Sequence, residues 1–150
     1  MGGTISGGGE PVVRNCTLPP GTALFFPLIS FYYGAFLTDP PDQRTEAFLR
    51  TQVAGCEHPT LLKAQIDGAL VSNPIQYLER SPLFDIQLPT DNVFGVNESL
   101  VPQLKLSPSV DQGFYLFLNP LPPGRHTIHW EAVCSNGAKQ NNTYNITVQR

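Results

Sequence analysis

Apolar or alternating segments of five to ten residues recur along the chain, each bounded by glycine or proline turn signals, and that rhythm belongs to β-strands. Strands are predicted at 12–18, 23–33, 61–67, 83–88, 114–118, 125–134 and 142–149, with shorter edge pieces near 93–96 and 103–106. Evenly spaced short strands predict an all-β fold: an antiparallel β-sandwich, jelly-roll or immunoglobulin-like, spanning residues 1–150 as a single domain. Its first eleven residues, rich in glycine, read as a flexible start. One segment breaks the strand pattern. In "TDPPDQRTEAFLRTQVAGC", residues 38–56, Asp39 is placed to cap a helix and Pro40 suits its first position. Phe48, Leu49, Gln52 and Val53 then form a mainly apolar stripe, and Gly55 suits the position after the last turn. One short helix is expected there, packed on the sandwich or capping one end.

The closing hairpin is the most explicit part of the pattern. Along 126–132, His126, Ile128, Trp130 and Ala132 alternate with Thr127, His129 and Glu131; along 142–149, Tyr144, Ile146 and Val148 alternate with polar residues. Asn136-Gly137 is the turn signal between the two strands. A two-residue turn at that point would set Trp130 opposite Thr143 and spoil both faces. A shift of one residue, through a three-residue loop or a bulge, restores the alternation and is expected to pair Ile128 with Ile146, Trp130 with Tyr144 and His126 with Val148. His129 then faces Asn145, and Glu131 faces Thr143. His126 and His129 fall on opposite faces and cannot chelate one ion together.

His129 and Glu131 share a face at a Cβ separation of roughly 7 Å. They are the candidate acid–base pair of a hydrolase-type enzyme, with Asp85 or a carboxylate of the helix segment as a third member. A solvated polar sheet face accounts for them without chemistry and is the favoured reading. In "GFYLFL", both faces are apolar. A covered central strand is one reading; the other makes Tyr115 and Phe117 an aromatic platform for a sugar ring or a protein partner.

Composition trims the alternatives. Charged residues are 14% and apolar residues 41% of the chain, the balance of a packed domain rather than a disordered tail. A net charge of −3 without basic blocks argues against a nucleic-acid partner. The longest apolar run, residues 23–37, carries Pro27 and Gly34 and is shorter than the roughly 20 residues of a membrane helix, so no membrane span is expected. Cys16, Cys56 and Cys134 are widely spaced and suggest no metal site; one disulfide in any of three pairings, or three thiols, fits them. The carboxylates Asp39, Asp42 and Glu46 are explained by the helix start, and His58 by a loop. No phosphate-binding, GxSxG or HExxH motif occurs, and no cofactor is implied. Asn15, Asn97, Asn141 and Asn145 match the Asn-x-Ser/Thr pattern.

Four blocks, "RNCTLPPGTALFFPLIS", "SPLFDIQLPTDNVFG", "DQGFYLFLNPLPPGRHTIHW" and "YNITV", resemble a family of uncharacterised exported bacterial proteins also met in environmental and mobile-cassette (integron) sequences. The first and third blocks carry most of the likeness; residues 36–60 match loosely. The resemblance implies a secreted β-sandwich and adds no catalytic residue. Members carry a signal peptide and a tryptophan-containing stretch before the Gly-rich segment at which this chain starts. Residues 1–11 lack the basic and apolar regions of a signal peptide, so a truncated or minimal version is expected. Three functions follow as expectations: a non-catalytic binding or interaction module for a carbohydrate or protein ligand, the His129/Glu131 hydrolase, and a homo-oligomer subunit joined through its aromatic strand.

Overall fold

A computed structural model describes residues 10–92 and 94–150, and among these described residues are nine strands and one α-helix. The expected flexible start therefore lies outside the described residues over 1–9, and so does Val93 of the expected edge piece at 93–96. The fold is all-β with two sheets and one short helix. The first sheet has the order β1-β9-β8-β3-β4, from β1 (Val12–Leu18), β9 (Lys139–Val148), β8 (Gly124–Val133), β3 (Leu61–Ile66) and β4 (Ala69–Leu70). The second has β7 (Lys105–Leu118) between β2 (Leu24–Phe36) and β5 (Leu78–Arg80), with β6 (Phe84–Gln87) also on β7. The pairs β3–β4, β3–β8, β6–β7 and β8–β9 are antiparallel, and β1 runs parallel to β9.

The chain divides into two compact units, one built from residues up to Ser30, Cys56–Glu79 and Gly113–Arg150, the other from Phe31–Gly55 and Arg80–Gln112. In the first unit the inner faces meet around Trp130, which stacks on Tyr144 with centroids 5.5 Å apart and tilts against Phe26 at 5.1 Å. Ile128, Ile146, Phe114 and Leu28 are buried with them. Gly113 sits where β2 passes close by: a Cβ there would lie 2.5 Å from the Ile29 carbonyl oxygen, so a side chain has no room. In the second unit, helix α1 (Glu46–Val53) buries Leu49 and Val53 against Ala35 and Val110. Leu88, Val101, Leu104 and Leu106 form a further buried cluster there.

Three expectations need correction. The helix is capped by Thr45, whose Oγ1 accepts the Phe48 N–H at 3.3 Å, and not by Asp39. Asp39 instead accepts the Phe36 N–H at 2.8 Å, because the Pro40-Pro41 pair holds the chain in a separate 3₁₀ turn, Pro41–Arg44, that ends in extended Thr45. Gln52 faces solvent, so the packed stripe is buried Leu49 and Val53 with partly buried Phe48, and the helix runs on into a 3₁₀ turn over Ala54–Cys56. The pieces predicted at 103–106 and 114–118 belong to one strand, β7, whose polar middle is buried at Ser109 and Gln112.

The third correction concerns the hairpin. Ile128 pairs with Tyr144, Trp130 with Asn142 and His126 with Ile146. The loop is three residues, Ser135 to Gly137, closed by the Gly137 N–H to Cys134 O and Cys134 N–H to Ala138 O bonds, with Gly137 at φ 88°. A turn followed by a left-handed glycine shifts the pairing one residue from the two-residue turn in the direction opposite to that expected. Parity is unchanged by the difference of two, so every side chain keeps its expected face and changes its partner.

Cys134, the residue entering this loop, is bonded to Cys56 across a sequence separation of 78, with Cα atoms 5.2 Å apart; Cys16 is free. Replacing both bridged cysteines by serine should lower the unfolding free energy by about 4.5 kcal/mol, the chain-entropy value for a loop of this length. Urea unfolding should show a lower midpoint with a steeper slope as the unbridged denatured chain expands. An unchanged midpoint would rule out a stabilising role for the bridge.

Candidate functional site

The odd-numbered residues of β8 point away from the Trp130 core and face the polar row of β9 and β3. His129 pairs with Thr143 and Gln65, and Glu131 with Asn141 and Lys63. His129 Nδ1 lies 3.0 Å from Thr143 Oγ1, and Asn141 donates to Glu131 Oε1 at 3.4 Å. The two candidates approach each other to 4.0 Å, Nε2 to Oε2, with side chains 29% and 34% exposed. They are brought together, on a sheet face of threonine, asparagine, glutamine and lysine. Neither lines the two concavities described below. Asp85, the proposed third member, belongs to the second unit, where it binds Lys105 Nζ at 2.6 Å and accepts the Ser107 hydroxyl at 2.6 Å. Those bonds, Lys105 first, hold its carboxyl below the usual range. Among the described residues no cluster of three His, Cys, Asp or Glu is arranged to hold a metal.

Near the start of β8 the even row continues to His126, whose side chain is 10% exposed. It meets the β3–β4 turn, Asp67-Gly68, whose φ values of 52° and 79° make it a left-handed hairpin turn of the kind that Asp-Gly favours. Asp67 Oδ1 accepts the Thr127 N–H at 2.8 Å, and Oδ2 lies 2.7 Å from His126 Nδ1. The other ring nitrogen, Nε2, lies 2.8 Å from the Pro122 carbonyl. The bond to Asp67, with the Pro122 carbonyl behind it, raises the His126 pKa; the bond to His126 lowers that of Asp67. His126 also borders a shallow polar basin of about 440 Å³ with Asn15, Thr17, Arg125, Asn145 and Thr147.

The aromatic candidates take a different position. Tyr115 and Phe117 project from the face of β7 opposite Phe114 and Leu116, which are buried. Phe117 is 66% exposed, and Tyr115 is partly covered by Phe25, with ring centroids 5.2 Å apart and planes 5° from parallel. Phe25 is itself 60% exposed. With Tyr77, Glu79 and Ile66 these rings line a groove of about 380 Å³. Phe25, Tyr77, Glu79 and Asp67 are the residues that sequence reasoning missed. Alternation in "ALFFPL" puts Phe25 opposite Leu24 and Phe26, and Asp67-Gly68 is a hairpin dipeptide, so both carried a local signal. Nothing local links Tyr77 or Glu79 to β7. Set against known proteins, the chain matches no protein-family model and no curated protein.

The Asp67–His126 pair predicts a pH profile for folding. A raised histidine pKa contributes stability that is complete below its unfolded value, about 6.5, and is lost as pH rises through the folded value. A lowered carboxyl pKa contributes stability present above about 4 and lost as pH falls through the folded value. The pair should therefore stabilise most between about pH 4 and 6.5. Urea midpoints at pH 3, 5.5 and 8.5 should follow this shape relative to Asp67→Asn, and a constant difference between the two proteins would contradict it.

Proposed function

We propose that the protein is a non-catalytic binding module whose ligand, a carbohydrate, lies in the groove formed by Phe25, Tyr115 and Phe117. The observation that carries this reading is Phe117, a large aromatic side chain left 66% exposed beside a pair of rings that cover each other only partly. Burying a phenylalanine contributes about 1.5–3 kcal/mol, so a position that forgoes it has another use. A sugar ring offers C–H faces to aromatic rings and hydroxyls to polar groups. The groove offers both residue types, because Glu79 and Tyr77 are among those that line it. Location outside the cytoplasm is part of the same proposal. The Cys56–Cys134 disulfide supports it, since such bonds persist in oxidising compartments.

The hydrolase reading has less behind it. His129 and Glu131 stand on an open polar face, each already hydrogen-bonded to a neighbour on β9, where a bound substrate would stay in water.

The test is Phe117→Ala screened with the unmodified protein against immobilised poly- and oligosaccharides. Affinity for a retained glycan should fall by roughly tenfold, the factor that about 1.4 kcal/mol represents. Stability should change by less than about 0.5 kcal/mol, as expected of an exposed side chain. Retention of no glycan, or equal retention by both proteins, would overturn the carbohydrate reading. A mass that rises with concentration in the unmodified protein and not in the variant would assign the patch to self-association instead.

A further inference from the structure

The two partners of His126 share one property. An ionised carboxylate and a peptide carbonyl both accept hydrogen bonds and donate none. With Asp67 Oδ2 at 2.7 Å from Nδ1 and Pro122 O at 2.8 Å from Nε2, the ring completes both bonds only if each nitrogen carries a proton. A neutral imidazole has one N–H and would turn a lone pair toward the carboxylate or the carbonyl. Moving the proton to Asp67 is opposed by Thr127, whose N–H already donates to the same carboxylate at 2.8 Å.

Both partners are continuous with the walls of the aromatic groove. Asp67 directly follows Ile66, and Val71 closes the same short hairpin through its N–H to Ala64 O at 2.9 Å. Pro122 lies in the loop that leaves β7 after Phe117 and Leu118. Ile66, Val71, Phe117 and Leu118 all line the groove. The His126 ring thus joins the β3–β4 hairpin to the β7–β8 loop, at a sequence separation of 59 from Asp67 and 4 from Pro122.

We infer that His126 is a positioning residue, protonated at both ring nitrogens, that ties the two walls of the groove together and makes the groove's shape dependent on pH. The role of the groove in binding rests on the function proposed above; the protonation and the coupling do not. The charged and titratable groups around the ring are Asp67 from the β3–β4 turn, Arg125 beside it on β8, and the Cys16 thiol on β1, which is aligned with it through Ile146 of β9. Asp67 is the one that bonds to it.

The experiment is a pH titration from 5 to 9 of the full chain, without ligand, carrying nitrogen-15 histidine and methyl-labelled Ile, Leu and Val. At pH 6, both His126 nitrogens should resonate as protonated, and the midpoint should lie above the ordinary histidine value of about 6.5. The methyls of Ile66, Val71 and Leu118 should move with that midpoint. Asp67→Asn supplies an amide in place of the carboxylate. Its oxygen can still accept from Thr127 while its N–H donates to a neutral Nδ1, leaving Nε2–H for Pro122. In that variant the His126 midpoint should drop by about one unit or more, and the groove methyls should no longer move between pH 6 and 8. A neutral His126 at pH 6 in the unmodified protein overturns the protonation. Methyls that ignore its titration overturn the coupling. Because no ligand is added, either failure is separate from failure of the groove to bind sugar.

Discussion

The register of the β8–β9 hairpin is the constraint on which the first unit depends. Three loop residues and a glycine at φ 88° bring Val133 opposite Lys139, and every later pairing follows by subtraction. In that register Tyr144 stands beside Ile128, one step along from Trp130, where the two rings stack. Asn142 falls opposite Trp130 on the buried face and is satisfied by donating to Gln140 at 2.8 Å. The same register leaves Cys134 at the mouth of the loop, where Cys56 reaches it. A slip of one residue would turn the tryptophan outward; a slip of two would keep it inside and change its neighbours.

Strand β8 therefore carries three environments in ten residues. Its middle supplies the core, with Ile128, Trp130 and Ala132 fully buried. Its outward row supplies His129 and Glu131 to a hydrated polar face. Its inward row, at His126, meets a carboxylate and a carbonyl. Identical residue types three apart thus do unrelated work, one in an ion pair that joins two loops and one in a hydrogen bond to a neighbouring threonine. The two histidines differ because positions three apart on a pleated strand point to opposite faces, and each face presents its own partners.

The aromatic groove shows the complementary case, where apolar side chains stay outside. Phe114 and Phe117 belong to one strand and differ in parity, and one is fully buried while the other is 66% exposed. The stack of Phe25 on Tyr115 shields part of the outer face at a centroid distance of 5.2 Å, and the remainder is open to a ligand. Arg80, which donates to Gln112 at 2.9 Å, shows how the polar middle of β7 is tolerated in the second unit: buried amides there are paired rather than solvated.

Local periodicity was enough to give the strand class, the limits of β1 to the residue, those of β3, β8 and β9 to within three, and the face of each side chain in the closing hairpin. These properties depend on the alternation of one strand and the chemistry of one turn. The helix start was misread because two prolines imitate a helix entry and yield a 3₁₀ turn. The length of β7 was hidden because Ser109 and Gln112 look like loop residues until Arg80 and Tyr32 are seen to pair with them. Tertiary structure alone decided which cysteines bond, that Phe25 meets Tyr115, and that His126 faces Asp67. Each of those contacts joins residues dozens of positions apart, and alternation states which way a side chain points without stating what stands there to receive it.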